Sequence, residues 1–109
     1  MATGVLQEYS GMGEDKYQRI VELLGPNTNP KGVILHLAAK TPNGFRVVDI
    51  WDSRNSFDQF YRDHLTPIFG KLGIQSPRTE YFDIVNVMTA DVSALNALNK
   101  LGTLTGARR

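Results

Sequence analysis

Residues 32–51 read GVILHLAAKTPNGFRVVDIW, and this stretch decides the fold. Two runs rich in aliphatic residues, 32–39 and 45–51, flank a short polar segment that contains Asn43 and Gly44. Because Asn-Gly tolerates positive φ at both central positions of a tight turn, the stretch predicts a β-hairpin with these two residues as its loop. This hairpin is the strongest local signal in the chain, and the other elements are placed around it.

The predicted register gives the hairpin two different faces. With that loop, His36 lies opposite Trp51 and Ala38 lies opposite Asp49. Side chains alternate along a strand, so residues two apart share a face. One face mixes polar and aromatic groups with small residues, as a pocket lining does, and it consists of Ile34, His36, Ala38, Val47, Asp49 and Trp51. The other face is aliphatic and suits a packed interface, and it consists of Leu35, Leu37, Ala39, Val48 and Ile50.

Turn signals and apolar periodicity place further elements on both sides of the hairpin. Short apolar runs predict strands over 5–9 and 81–88. Apolar residues at helical spacing predict one helix before the hairpin, ended by Gly25, and a second helix after it. We expect Ser53 to cap the second helix and Pro67 to end or kink it.

The element order β-α-β-β-α-β is that of the α+β ferredoxin-like fold, with an antiparallel sheet and both main helices on one face. We assign residues 1–90 to this domain and 91–109 to a C-terminal helix and a frayed tail. Asp91 is expected to cap that last helix. Its apolar side consists of Val92, Leu95, Leu98 and Leu101.

The pattern of the predicted strands indicates that one chain cannot cover both faces of its own sheet. The runs 32–39 and 84–88 are apolar at both parities, whereas a sheet with one wet face alternates apolar and polar residues. Two helices cover only one face, so we expect a homodimer in which two sheets pack face to face and form a dimeric α/β barrel. The alternative is that the C-terminal helix folds over the second face.

Composition excludes several classes of function. The 109-residue chain carries a formal net charge of +1, too small a footprint for nucleic acid or an anionic membrane, so we expect neither partner. Its lack of cysteine excludes a thiolate nucleophile, a disulfide framework and Cys-bound zinc. No stretch reads as a secretory signal, a membrane span or a phosphate-binding glycine loop. We therefore expect a cytoplasmic protein that works without a cofactor or a metal.

Four segments of the chain resemble the corresponding segments of one protein family. The segments 32–36, 43–53, 57–60 and 65–67 read GVILH, NGFRVVDIWDS, FDQF and LTP. They resemble the antibiotic-biosynthesis-monooxygenase-like dimeric α/β-barrel proteins, in which a hairpin runs into a Trp-x-Ser step followed by an aromatic helix and a proline. The likeness covers roughly residues 4–90. This superfamily holds monooxygenases, haem-degrading enzymes, isomerases, aldol-type cyclases and proteins without a known activity.

The resemblance implies a pocket in each subunit between the sheet and its helices, with Trp51 facing it. This chain departs from the quinone-forming members at two positions. Val47 stands where those members pair an Asn with the Trp, and Phe57 stands where they place an aromatic hydroxyl. His64 looks like the counterpart in location of a catalytic histidine that plant-type polyketide cyclases carry on this helix segment.

The candidate chemistry rests on the two histidines of the chain and one aspartate. Imidazole titrates near neutrality, so His64 and His36 are candidate general bases, and Asp49 is a candidate to orient an imidazole. Three alternatives stay open: packed structural histidines, a two-His, one-carboxylate iron site, and haem binding. Residues expected to bind a flat hydrophobic substrate, or simply to pack in the core, are Trp51, Tyr61, Phe57, Phe60, Tyr17, Ile34 and Val47.

These observations favour three functions. The first is a cofactor-independent monooxygenase in which His64, helped by His36 and Asp49, removes an acidic proton from a hydrophobic aromatic or polyketide-like molecule, which then reacts with O₂. The second uses the same base for an aldol-type cyclisation or isomerisation and consumes no oxygen. The third is a dimeric ligand-binding protein without catalysis, which predicts that side chains fill the cavity and that His36 and His64 form hydrogen bonds with the backbone.

Overall fold

The computed structural model describes residues 1–100. Four antiparallel strands form one sheet in the order β2-β3-β1-β4, with bounds β1 Thr3–Ser10, β2 Val33–Thr41, β3 Gly44–Trp51 and β4 Arg78–Asp83. The helices are α1 Glu14–Leu24, α2 Arg54–Phe60, α3 Thr66–Leu72 and α4 Val92–Ala97. This order and topology confirm the ferredoxin-like α+β fold. No helix in this part of the chain is long and apolar enough to cross a membrane.

The hairpin forms, but its predicted register was wrong by two residues. Thr41 pairs with Gly44, and His36 pairs with Asp49 rather than with Trp51. The loop residues are Pro42 and Asn43, in the order that a type I turn favours. Gly44 does not have positive φ. It is a glycine because a Cβ there would overlap the backbone carbonyl of Tyr9. Because side chains alternate along a strand, a register shift of two residues leaves the same residues on each face of the hairpin.

A β-bulge corrects the face assigned to Ile34. The ladder shifts between Val33 and Leu35, and Val33 takes the position opposite Trp51. Ile34 is therefore the extra residue of the bulged strand, and 55% of it is exposed. Val33 packs against the Trp51 cluster in its place. The expectation that Ile34 shares the face of His36 was wrong for this reason.

The second helical region is irregular before Pro67 rather than at it. Ser53 caps α2 as predicted, because its side chain accepts a hydrogen bond from the backbone N–H of Ser56 at 3.1 Å. A π-helical turn, Tyr61–Leu65, then separates α2 from α3. Pro67 lies in the first turn of α3, where a missing N–H costs nothing.

The fourth strand is shorter than predicted and begins earlier. It spans Arg78–Asp83 instead of 81–88, because β1 begins at Thr3, which already pairs with Asp83. One further bond, from the Ile84 N–H to the Ala2 carbonyl, ends the pairing. Beyond it the chain runs outside the sheet with exposed side chains.

The C-terminal helix lies beyond that segment. Asp91 caps α4 by accepting a hydrogen bond from the Ala94 N–H at 3.1 Å. Its apolar residues stay largely exposed, with Leu98 at 72%, so α4 does not cover the sheet. Leu101, the last apolar residue predicted for this helix, and the predicted tail lie outside the described residues.

The sheet has one covered face and one uncovered face. Under the helices the core divides into two clusters. The smaller cluster consists of Val5, Trp51 and Phe57, and the larger cluster consists of Tyr9, Met12, Ile20, Leu24, Phe45, Val47, Leu65 and Phe69. The opposite side of the sheet, which we call the outer face, is apolar and only partly buried. It includes Leu6, Leu35, Leu37, Val48, Ile50 and Phe82.

Candidate functional site

A chain of hydrogen bonds crosses the covered face and joins four side chains. The Asp49 carboxylate lies at its centre and is only 6% exposed. Its Oδ1 is 2.8 Å from His36 Nδ1, and its Oδ2 accepts a hydrogen bond from Trp51 Nε1 at 3.1 Å. The other imidazole nitrogen, Nε2, is 2.6 Å from the Tyr17 hydroxyl. We call these four residues the polar chain.

Three elements bring the polar chain together. Asp49 and Trp51 are two apart on β3 and so share a face, and the hairpin register sets His36 of β2 directly opposite Asp49. Tyr17 comes from α1, which lies over this part of the sheet. Its ring stacks on Phe45 at 4.9 Å between centroids and lies parallel to the His36 ring at 5.9 Å. The imidazole is thereby held on both nitrogens, and the Tyr17 ring meets it edge to edge through the hydrogen bond.

The partners fix the direction of each hydrogen bond. An ionised carboxylate can only accept, so Asp49 holds the proton of His36 on Nδ1 and leaves Nε2 as an acceptor. Burial raises the pKa of the Tyr17 hydroxyl to about 12, and the nearby Asp49 charge adds to this shift. Tyr17 therefore stays protonated at neutral pH and donates to Nε2. Because the raised pKa opposes loss of that proton alone, the hydroxyl can pass it to the imidazole only as a relay, while its oxygen accepts another proton.

His64 does not join the polar chain. It lies on the π-helical turn, and its ring contacts Phe60 at 5.7 Å between centroids. Within residues 1–100 its side chain makes no hydrogen bond. No three His, Asp or Glu side chains in that range are placed to hold a metal ion. The iron site considered for His36, His64 and Asp49 is therefore not assembled in this structure.

The aromatic residues predicted to bind substrate pack on one another. Trp51 is 1% exposed and lies against Phe57 at 5.6 Å and Phe60 at 5.5 Å between ring centroids. Tyr61 packs on Phe57 at 5.8 Å, and burial raises the pKa of its hydroxyl. Phe60 and Tyr61 are only half-buried, and they contact both core clusters. Val47, also predicted to bind substrate, is buried in the larger cluster.

Two surface concavities lie away from these residues, at the hairpin end of the sheet. One has a volume of about 510 Å³ and includes Tyr9, Arg46 and Arg78 in its lining. The other, of about 360 Å³, surrounds the turn at Asn43. Neither is lined by Trp51 or by another member of the polar chain.

Gln7 is a buried polar residue that the sequence interpretation missed. It lies on β1, the second strand from one edge, and is 2% exposed. Its side-chain nitrogen Nε2 has no hydrogen-bond partner in the described residues. A buried donor left unpaired costs about 1–3 kcal/mol, so such groups are uncommon. The signal was in the sequence, because Gln7 has the same parity as the core residues Val5 and Tyr9.

The comparisons with known proteins concern the fold of the chain. No protein-family model and no curated protein sequence matches the chain. Among solved structures it is similar to SnoaB, a cofactor-independent oxygenase from Streptomyces nogalater, with 11% identity and a TM-score of 0.60 over 80% of this chain and 96% of that one. It is also similar to a Chloroflexus aurantiacus protein provisionally assigned as an antibiotic biosynthesis monooxygenase, with 12% identity and a TM-score of 0.61 over 84% and 100%.

A third similar structure is a dimeric ferredoxin-like protein of unknown function from Thermobifida fusca. Its identity is 12% and its TM-score 0.55, over 77% of this chain and 92% of that one. At such identities these likenesses show the fold alone. They confirm that the chain has the ferredoxin-like fold of the antibiotic-biosynthesis-monooxygenase-like proteins, as the sequence resemblance implied.

Proposed function

We propose that the protein is a small-molecule enzyme that removes an acidic proton from a hydrophobic aromatic or polyketide-like substrate without a cofactor. The observation that carries this proposal is the hydrogen-bonded series Tyr17–His36–Asp49 on the covered face of the sheet. A histidine held by a carboxylate on one nitrogen is a competent base on the other. His36, rather than His64 as the sequence predicted, takes the role of base, with Asp49 as its orienting group.

The proton path follows from the contacts. His36 Nε2 is already occupied by the Tyr17 hydroxyl, so the substrate reaches the base through that hydroxyl. Tyr17 oxygen accepts the substrate proton as its own proton passes to Nε2, and the electron pair of the broken bond stays on the substrate. The neutral tyrosine is the form that can relay in this way, and its raised pKa keeps it in that form.

Oxygenation is the reaction that the fold neighbours support best. SnoaB is a cofactor-independent oxygenase. Applied to this chain, the carbanion or phenolate formed at Tyr17 reacts with O₂. A CH₂ group then becomes C=O, and the second oxygen atom leaves as water. A cyclase or isomerase would use the same base and would consume no oxygen.

Close packing around Trp51 favours a second candidate, a ligand-binding protein without catalysis. Trp51 and Phe57 are almost fully buried against each other, as that hypothesis predicts. The hydrogen bonds of His36 favour catalysis over this candidate, because their partners are the ionisable side chains of Tyr17 and Asp49 and not the backbone. Half-buried Phe60 and Tyr61 are the side chains whose rotation would open the site, and His64 beside Phe60 lies at its rim.

The test uses anthrone, a tricyclic ketone with an acidic CH₂ group, as a probe. The wild-type protein is expected to consume oxygen and form anthraquinone, and His36→Asn is expected to lower kcat by about 10²–10⁴-fold. His64→Asn is the matched control and should retain most of the activity. Loss of activity in His64→Asn alone would transfer the role of base to His64. Exchange of the probe's CH₂ protons in D₂O without oxygen uptake would indicate cyclase or isomerase chemistry.

We also propose a homodimer formed through the outer face. The support is an apolar face left uncovered, with Leu37 at 50% and Phe82 at 43% exposure, and the dimeric state named for the Thermobifida fusca protein. Leu37→Asp would bury an unpaired charge in such an interface and is expected to weaken association by about 100-fold. Light scattering after size-exclusion chromatography measures this. A monomeric wild-type protein at micromolar concentration would refute the dimer.

A further inference from the structure

The carboxamide nitrogen of Gln7 has no hydrogen-bond partner among residues 1–100. The side chain is 2% exposed, and Nε2 makes no hydrogen bond within the described part of the chain. A donor buried this deeply normally has a partner, and a water or a ligand can supply one. The position of Gln7 favours a ligand.

Gln7 lies in the seam between the two core clusters. On the same face of β1, Val5 precedes it in the smaller cluster and Tyr9 follows it in the larger one. The side chains that contact both clusters are Phe60 and Tyr61, and both are only half-buried. The amide thus lies on β1 between the two clusters, and the side chains that join those clusters are partly exposed.

The seam also runs past the polar chain. Gln7 pairs with Val47, and its neighbour Val5 pairs with Asp49, so Gln7 and Asp49 are diagonal neighbours on one face. Both Asp49 oxygens already accept hydrogen bonds, so Asp49 does not need the amide. An anion would be repelled by that carboxylate, and a cation would gain nothing from an N–H donor. The acceptor that suits Nε2 is a neutral oxygen.

We propose that Gln7 Nε2 donates a hydrogen bond to the carbonyl oxygen of a flat aromatic ketone that enters this seam when Phe60 and Tyr61 rotate outward. The bond orients the ketone on the covered face, next to the polar chain. This inference rests on the proposed function only for the substrate class. It assigns to Gln7 a role in binding and orientation, whereas proton removal belongs to Tyr17 and His36.

The test compares 1-tetralone with tetralin, two bicyclic molecules that differ by the carbonyl oxygen. Binding is followed by the fluorescence of Trp51, the single tryptophan. The wild-type protein is expected to bind the ketone about 10-fold more tightly than the hydrocarbon, the effect of one buried hydrogen bond. Gln7→Met is expected to abolish this preference and to raise Tm, because it removes the unpaired donor. Gln59→Met, an exposed position on α2, is the matched control and should keep the preference.

Several outcomes would overturn the inference. One is an equal affinity of the wild-type protein for both molecules, and another is a preference that Gln7→Met leaves unchanged, which would mean a buried water only. If Gln7→Met does not fold, the side-chain amide signals of Gln7 in an ¹⁵N–¹H spectrum replace it. They should shift with 1-tetralone and not with tetralin. A preserved ketone preference without proton exchange would refute the proposed catalysis and leave the role of Gln7 standing.

Discussion

The two faces of one sheet differ in what they bury and in what they leave open. The covered face holds a nearly inaccessible carboxylate, a histidine and a tyrosine hydrogen-bonded in series, and the Gln7 amide, whose nitrogen has no partner among residues 1–100. The outer face holds aliphatic side chains in partial contact with water and, at one end, the ion pair between Arg46 and Glu8. The covered face thus combines an apolar core with a few buried polar groups, whereas the outer face, apart from that ion pair, is apolar and partly open to water. This difference is the basis for proposing chemistry on the covered face and association through the outer face.

The largest expected effect comes from Trp51 on the covered face. Trp51→Ala removes a 1% exposed ring from the smaller cluster and is expected to lower the free energy of unfolding by about 3–5 kcal/mol. Leu37→Ala, on the outer face, should change that of the monomer by less than about 1 kcal/mol. Urea unfolding at low protein concentration measures both. Similar losses in the two variants would remove the distinction between the faces.

The next effect compares the polar chain on the covered face with the ion pair between Glu8 and Arg46 on the outer face. Asp49→Ala leaves donors of His36 and Trp51 without an acceptor and is expected to cost about 2–4 kcal/mol of unfolding free energy. Glu8→Ala breaks the solvent-screened pair with Arg46, whose guanidinium lowers the pKa of Glu8, and is expected to cost much less. The same urea titration reports both. A larger loss in Glu8→Ala would place the critical electrostatics on the outer face.

The smallest effect is a pH dependence at Tyr17. Its folded-state pKa of about 12 lies above the ordinary tyrosine value of 10.0, so folding favours the neutral hydroxyl. That contribution is complete below pH 10 and is lost as the pH rises from 10 to 12. Tyr17→Phe should therefore reduce the loss of stability across this range and remove a late component from the tyrosinate absorbance. Tyr81→Phe, the control for loss of one hydroxyl, should leave that late component in place.

The sequence was sufficient for the fold and for the grouping of some site residues. Strand parity alone assigned His36, Asp49 and Trp51 to one face, and a slip of two residues did not disturb it. The exact pairing could not be read because Gly44 serves a close approach to Tyr9 rather than the turn, which is a tertiary effect. The contact of Tyr17 with His36 was likewise beyond sequence patterns, since it depends on how α1 lies across the sheet.

The bulge at Ile34 has a consequence for how copies of this chain meet. β2 is an edge strand, and an unbroken edge offers a row of free N–H and C=O groups to any other strand. The extra residue interrupts that row and twists the edge, and β4 at the other edge has only six residues, several of them charged. Growth of the sheet sideways into fibres is therefore disfavoured at both edges. In the homodimer proposed above, association would use the outer face instead, and two such faces packed on each other leave no free surface for further copies.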